Sequence, residues 1–157
     1  MNTCDLCDRL EGQARVLELP LRDYGGRVAF SGRISTVKAL EDNSLVREAV
    51  AEPGHGRVLV VDGGGSLRRS MLGDMLAEMA VANGWSGVLV HGAIRDSGAI
   101  ATLDLGVKAL GTCPRKTDKL GQGLRDVPLA FGGVVIVPGQ WLVADADGVV
   151  IVDEPPA

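Results

Sequence analysis

Asp74, Arg95 and Asp96 combine residue types and a spacing that can do chemistry, with residues 75 to 94 lying between the first and the pair. Arginine presents a planar fork of donors that matches a carboxylate, and aspartate offers hard oxygens to Mg²⁺ or Mn²⁺. Together they suit a small 2-oxo acid bound beside a divalent cation. Magnesium keeps several waters and takes one or two carboxylates, so Asp96 alone can serve as its protein ligand. Amides around Gly73, Asp74, Met75 and Leu76, at a helix start, offer a place for an oxyanion. Taken alone, an Arg-Asp pair equally suits a solvated turn, and Asp74 equally suits a helix cap. Short motifs need a structural context before they carry chemistry.

That context comes from the elements on either side. Arg57–Asp62 is a short β-branched run that ends in Gly63-Gly64-Gly65, as expected of a buried parallel strand entering a loop. Leu72–Ala82 has helical apolar spacing and stops at Asn83-Gly84. Gly87–His91 predicts the next strand, Ser97–Leu103 a short helix and Val107–Leu110 a third strand. In such a β-α-β-α-β unit ligands collect beyond the carboxyl ends of the strands, so adjacent first and second strands would bring Asp74 and Arg95-Asp96 to one crevice.

The rest of the chain is less decisive at its start and β-rich at its end. Leu17–Leu19 and Val28–Phe30 resemble short strands around the Tyr24-Gly25-Gly26 turn, and Asn43–Val50 has the spacing of a short amphipathic helix. Val134–Val137, Trp141–Ala144 and Val149–Val152 read as strands joined by tight turns, with Asp145 and Asp147 serving one of them. The expected fold is α/β, a compact single domain over residues 1–157, its β-α-β-α-β unit packed against further strands as a sandwich or partly closed barrel.

Composition narrows the function classes. Charged residues make up 23%, hydrophobic residues 46%, and no apolar run approaches the roughly 20 residues of a membrane span. Net charge is −4 and aromatics are 3%, which disfavours direct nucleic-acid binding. The acidic start MNTCDLCDRLEG lacks a basic region followed by an apolar one, which predicts a cytoplasmic protein. Cys4 and Cys7 form a single CxxC, Cys113 is alone, and the only histidines are His55 and His91, which does not make a tight zinc site. His91, at a strand end, reads as structural rather than as a group behind the site. Lys116 and Lys119 could steer an anion as well as serve an exposed loop.

The run VLVVDGGGSLRRSMLGDMLAEMAVANGWSGVLVHGAIRD, followed by DLGVKALGTCPRK and FGGVVIVPGQWLVADADGVVIV, resembles the RraA-like family from about Asp5 to Val152. That family includes 4-hydroxy-4-methyl-2-oxoglutarate aldolases and the regulator of ribonuclease E activity, and some members were labelled menaquinone methyltransferases. Its aldolases carry an aspartate, twenty intervening residues, then Arg-Asp, a pattern met here by Asp74 and Arg95-Asp96. The resemblance implies a swivelling β/β/α-like domain assembled as a homotrimer with sites near subunit boundaries. It implies that Gly73, Asp74, Met75 and Leu76 line the substrate site, Arg95 contacts substrate and Asp96 binds the divalent cation.

The implied activity is retro-aldol cleavage to a pyruvate enolate, with Asp74 orienting the water that takes the substrate's hydroxyl proton. Loss of carbon dioxide from oxaloacetate leaves the same enolate, so a secondary decarboxylase activity is implied. The chain is short at its C-terminus relative to larger aldolases, which raises Asp153 and Glu154 as substitutes for their extra residues. The alternative is a non-catalytic protein that binds and inhibits ribonuclease E. A methyltransferase reading would rest on Gly63-Gly64-Gly65, which lacks GxGxxG spacing and a prompt helix.

Overall fold

Strand runs that are apolar at every position belong in a sheet covered on both faces. The computed structural model, which describes Met1–Ala157, builds such a sheet at its centre. In chain order the elements are α1 (Thr3–Arg9), β1 (Arg15–Val16), β2 (Arg22–Asp23), β3 (Phe30–Lys38), α2 (Ser44–Val50), β4 (Val58–Asp62), β5 (Ser70–Leu72), α3 (Asp74–Ala82), β6 (Gly87–Ile94), α4 (Ser97–Ile100), β7 (Gly106–Thr112), β8 (Leu124–Arg125), β9 (Leu129–Phe131), β10 (Val134–Ile136), β11 (Trp141–Asp145) and β12 (Gly148–Val152).

The main sheet runs β1-β12-β11-β3-β4-β6-β7-β2, with β5 added on β6 and β8 on β3, while β9 and β10 form a separate hairpin. β3, β4, β6 and β7 are parallel, and β11, β12 and β1 continue antiparallel. β3 joins the two parts: Phe30–Arg33 pairs with β11, and Ile34–Lys38 pairs with β4. At that crossover a Cβ on Gly32 would overlap the Gly56 carbonyl oxygen, so only glycine allows the backbones to approach.

Alternation along the parallel strands feeds two cores. Leu59, Val61, Val88, Val90, Val107 and Ala109 face α2 and α3, where Val46, Ala49, Leu76, Ala77 and Ala80 meet them. Val58, Val60 and Leu89 face the opposite way, against Leu129, Phe131, Ile136, Leu142 and Ile151. Each fully buried branched or aromatic side chain contributes about 1.5–3 kcal/mol, so two filled faces make this unit a firm base for its loops.

The α/β class and the parallel unit packed against further strands are as expected, but several boundaries move. Leu72 ends β5 rather than opening a helix, and α3 starts at Asp74. The reason is that Leu72, Leu76 and Met79 share helical spacing, while Ser70–Leu72 is buried throughout and pairs with β6 at Ala93 and Ile94. β6 runs on to Ile94, three residues past His91. α4 stops at Ile100, after which Thr102 and Leu103 donate to Ala99 and Ile100 as tight three-residue turns.

Near the start, Leu17–Leu19 is not a strand, although the Leu17 amide donates to Val149 O beyond the end of β1. The Val28–Phe30 expectation captured only the first residue of β3. The strand nearest the Tyr24-Gly25-Gly26 turn is instead Arg22–Asp23, which lies antiparallel on β7. The β11–β12 turn carries Asp145 as expected, and that carboxylate also anchors α1, accepting the Thr3 amide at 2.8 Å and the Thr3 hydroxyl at 2.7 Å. No helix is long and apolar enough to cross a membrane.

Candidate functional site

The carboxyl ends of β5 and β6 converge because Arg95 N donates to Leu72 O at 2.9 Å. Gly73 and Asp74 follow the first strand, Arg95 and Asp96 the second. The Asp74 amide donates to Asp96 Oδ2 at 3.1 Å, so Asp96 caps a helix whose own N-cap residue, Gly73, has no side chain to do so. An added Cβ on Gly73 would lie 2.9 Å from Asp96 Oδ2 and 3.3 Å from Arg95 Nε, closer than the site tolerates without a shift. Asp96 itself is held at φ 55, ψ 40, a left-handed conformation that aspartate and asparagine adopt more readily than most residues.

The expected residues are therefore brought together, with one amendment. The Asp74 amide is not free for an oxyanion, because Asp96 uses it. The Met75 and Leu76 amides have no acceptor within the protein and keep the helix end's capacity for an anion.

Beside this junction lies a cavity of about 160 Å³ lined by Gly73, Asp74, Met75, Leu76 and Arg95 together with Arg47, Lys116 and Lys119. Asp96, two-fifths exposed, adjoins Gly73 at the cavity's edge and is not among the lining residues. A larger cleft of about 440 Å³ lies between α1 and the C-terminal tail. Its best-placed carboxylate is committed, since Asp153 meets Arg15 at 2.9 Å, while exposed Glu154 only approaches Arg33 at 3.9 Å. Arg15 holds the Asp153 carboxyl below the usual aspartate range. The smaller cavity is where uncommitted charge gathers, since Arg47, Lys116 and Lys119 have no carboxylate partner and Arg95 reaches only Asp96 at 3.9 Å. Four cations against the single lining acid Asp74 favour an anionic ligand with more than one negative group.

Whether these residues fit a divalent cation turns on free oxygen lone pairs. Asp96 Oδ1 and both carboxylate oxygens of Asp74 have no hydrogen-bond partner in the protein. Hard oxygens of this kind fit a cation that draws its remaining ligands from water and substrate, as magnesium does. No group of three His, Cys, Asp or Glu side chains converges anywhere in the chain, so the donor set does not fit a closed zinc centre.

Other singled-out residues fall elsewhere. His91 lies on the β6 face away from α3; its Nδ1 is 3.1 Å from Asp62 Oδ1 and its ring stacks on Phe131 at 4.4 Å. The glycine loop after β4 is folded onto this pair: the Gly63 and Gly65 amides donate to His91 O and the Gly64 amide to Asp62 Oδ1, which leaves no amide cradle for a nucleotide. Cys4, Cys7 and Cys113 are free thiols, and a hydrogen bond to Asp147 pushes the Cys4 thiol up.

Asn43, Arg47, Ser70, Met79 and Thr117 also line the cavity, and sequence reasoning did not single them out. Arg47 sits on α2, the helix foreseen at Asn43–Val50, but nothing local says which face meets a site two strands away.

Comparison with known proteins identifies the family and the fold. A sequence model of the RraA-like family, described as Aldolase/RraA, matches residues 3–151. A protein of Alkalilimnicola ehrlichii with the provisional name 4-hydroxy-4-methyl-2-oxoglutarate aldolase is 56% identical over 95% of this chain and 92% of its own. A Geobacillus kaustophilus structure described as S-adenosylmethionine:2-dimethylmenaquinone methyltransferase superimposes with TM-score 0.97 at 52% identity, over 99% of this chain and 96% of that one. The RNA-processing inhibitor RraA from Thermus thermophilus superimposes with TM-score 0.97 at 45% identity, over 100% and 95%.

Proposed function

The chain belongs to the RraA-like family, and from that premise we propose that it is a divalent-metal-dependent aldolase that cleaves 4-hydroxy-4-methyl-2-oxoglutarate to pyruvate. The observation that carries this reading is the junction of Asp74 with Arg95-Asp96 at the mouth of a cation-lined cavity. A substrate with two carboxylates matches that excess of positive charge, and the aldolase name borne by the Alkalilimnicola relative supports the reaction class.

In this reading Asp96, with Asp74 beside it, would hold Mg²⁺ or Mn²⁺, which supplies electrophilic polarisation of the 2-oxo group when bound. Arg95 grips the neighbouring carboxylate and fixes the substrate's orientation. Asp74 orients the water that takes the C4 hydroxyl proton. The C3–C4 bond then breaks, the former hydroxyl oxygen becomes the keto oxygen of one pyruvate, and the electron pair left on C3 is kept as the enolate of the other until C3 is protonated. Arg47, Lys116 and Lys119 offset the negative charge that persists through this step. Oxaloacetate enters the same route by losing carbon dioxide, which gives a secondary decarboxylase activity.

The test is release of two pyruvates from 4-hydroxy-4-methyl-2-oxoglutarate, measured with lactate dehydrogenase and NADH, with magnesium and after chelation. Absence of metal-stimulated turnover in the folded protein rejects the reading.

Likeness to the Thermus inhibitor supports a second reading, a non-catalytic regulator that binds and inhibits ribonuclease E. A pull-down with the ribonuclease and no turnover with or without metal would favour it. The homotrimer with sites near subunit boundaries that the family resemblance implies belongs to this proposal and is read by sedimentation; exposed Met75 and Leu120 lie where a neighbouring copy would meet the cavity. A cytoplasmic location belongs to the same reading.

A further inference from the structure

Residues 113–123 connect β7 to β8 without helix or regular strand, yet they deliver Lys116, Thr117 and Lys119 to the cavity wall. Something must hold this stretch, because a loop without ladder bonds loses its position to entropy. Its first half is tied to β5: Ser70 N donates to Arg115 O at 2.7 Å and Arg69 donates to Lys116 O at 3.0 Å. Its second half hangs on Asp42 and Ser44. Asp42, 2% exposed, accepts the amides of Leu120 and Gln122 on Oδ2, each at 3.0 Å. Its Oδ1 accepts the Ser44 amide at 2.9 Å and the Ser44 hydroxyl at 2.6 Å, while Ser44 Oγ accepts the Gly121 amide at 3.1 Å. The adjacent Asn43 and Thr117 exchange two bonds, at 2.8 and 3.2 Å.

Asp42 has no cationic partner. A buried carboxylate of this kind is costly unless fully hydrogen-bonded, and an ordinary loop has no need of one. Here the bonds run from Asp42, two residues before α2, the helix that carries Arg47, to the loop that carries Lys119. The two cations thus stand on elements joined through Asp42, with Ser44 and the Asn43–Thr117 pair beside it.

Building on the aldolase reading, we infer that Asp42 is a positioning residue for substrate specificity: its clamp on Leu120 and Gln122 sets Lys119 opposite Arg47, beside a Lys116 held by β5, so that the cavity holds the second carboxylate of a dianionic 2-oxo acid. Arg95 holds the first carboxylate, and its one contact with this loop, to Pro114 O at 3.5 Å, falls in the half held by β5 rather than by the clamp. Losing the clamp therefore weakens dianionic 2-oxo acids selectively and leaves monoanionic ones nearly untouched.

The test compares the unsubstituted protein with Asp42→Asn, in which an amide group of the same shape cannot accept all four bonds. Calorimetric titration with 2-oxoglutarate and with pyruvate, magnesium present throughout, is paired with hydrogen exchange at the Leu120 and Gln122 amides. The expected result is faster exchange at both amides, about tenfold weaker 2-oxoglutarate binding and less than about twofold change for pyruvate. For the aldol substrate KM rises by a similar factor while kcat is kept. Protected amides, unchanged 2-oxoglutarate affinity, or equal loss for both acids each overturn the proposal. Should Asp42→Asn fail to fold, Ser44→Ala removes the hydroxyl that bridges Asp42 and Gly121 and is held to the same pattern. Failure of the unsubstituted protein to bind 2-oxoglutarate overturns the clamp's role in specificity, whereas binding without aldol cleavage defeats only the reaction.

Discussion

Asp96 Oδ2 accepts the backbone amide of Asp74 at 3.1 Å, which ties together two residues 22 positions apart and makes one carboxylate both a helix cap and a candidate cation ligand. The two roles use different oxygens, since Oδ1 has no partner in the protein. Substitutions can therefore separate them.

Asp96→Asn keeps a side-chain oxygen for the Asp74 amide and suits the left-handed backbone at φ 55, but it removes the charge. It is expected to fold with Tm within about 2 °C of the parent and to lose at least about a hundredfold in magnesium-dependent kcat/KM. Asp96→Ala should abolish pyruvate release and also lower Tm through the lost cap. A folded Asp96→Asn protein with parental turnover rejects Asp96 as cation ligand.

Arg95 is about two-fifths exposed, and its 3.9 Å approach to Asp96 is too long and too wet to matter much for stability. Its value lies in the guanidinium fork. Arg95→Lys keeps the charge and loses the paired geometry, so steady-state kinetics should show KM raised about tenfold with a smaller fall in kcat. A fall confined to kcat with KM unchanged would place Arg95 outside carboxylate binding.

Much of this site was legible in the sequence because it sits where strands end. The apolar runs at Val58–Val61 and Gly87–Val90 announce parallel strands, and Arg95-Asp96 follows from the end of the second, whereas Asp74 is delivered by β5, which intervenes after the first. What stayed hidden depended on tertiary pairing. Ser70–Leu72 is three residues long and shares helical spacing with Leu76 and Met79, so its pairing with β6 left no periodic trace. β3 carries Ser31, Arg33, Ser35 and Thr36 among its apolar residues because it changes partners midway, which breaks alternation. Arg47 and Asp42 reach the site across sequence gaps that no local rule spans.

Gly73 shows how close the packing is. Its φ of −116° is open to any residue, so alanine is tolerated by the backbone, but the added methyl would press on Asp96 Oδ2 at 2.9 Å and Arg95 Nε at 3.3 Å. Gly73→Ala is expected to lower kcat/KM about tenfold or more while Tm moves by less than about 3 °C. Parental kinetics would mean that Asp96 can shift without consequence and that its observed position is not the working one.

Acid should loosen the clamp and the α1 anchor together. Burial alone would push the Asp42 carboxyl up, but the Ser44 hydroxyl and amide and the amides of Gln122 and Leu120 favour the charged form and hold it below the usual aspartate value. Asp145 behaves alike: burial opposes ionisation, and the Thr3 amide and hydroxyl with the amides of Asp147 and Gly148 outweigh it. Between the folded and unfolded values the unfolded chain binds more protons, so stability rises with pH there. The contribution of both groups is complete above the unfolded value of about 3.9 and is lost as pH falls through the depressed folded values. Urea unfolding at stepped pH should therefore show stability declining below about pH 4. Asp42→Asn, already lacking one of the two carboxylates, should be less stable at neutral pH and show a shallower decline. An equal slope in parent and variant would mean that Asp42 does not titrate differently in the folded and unfolded chains, and that its buried bonds are worth no more to the charged form than water is.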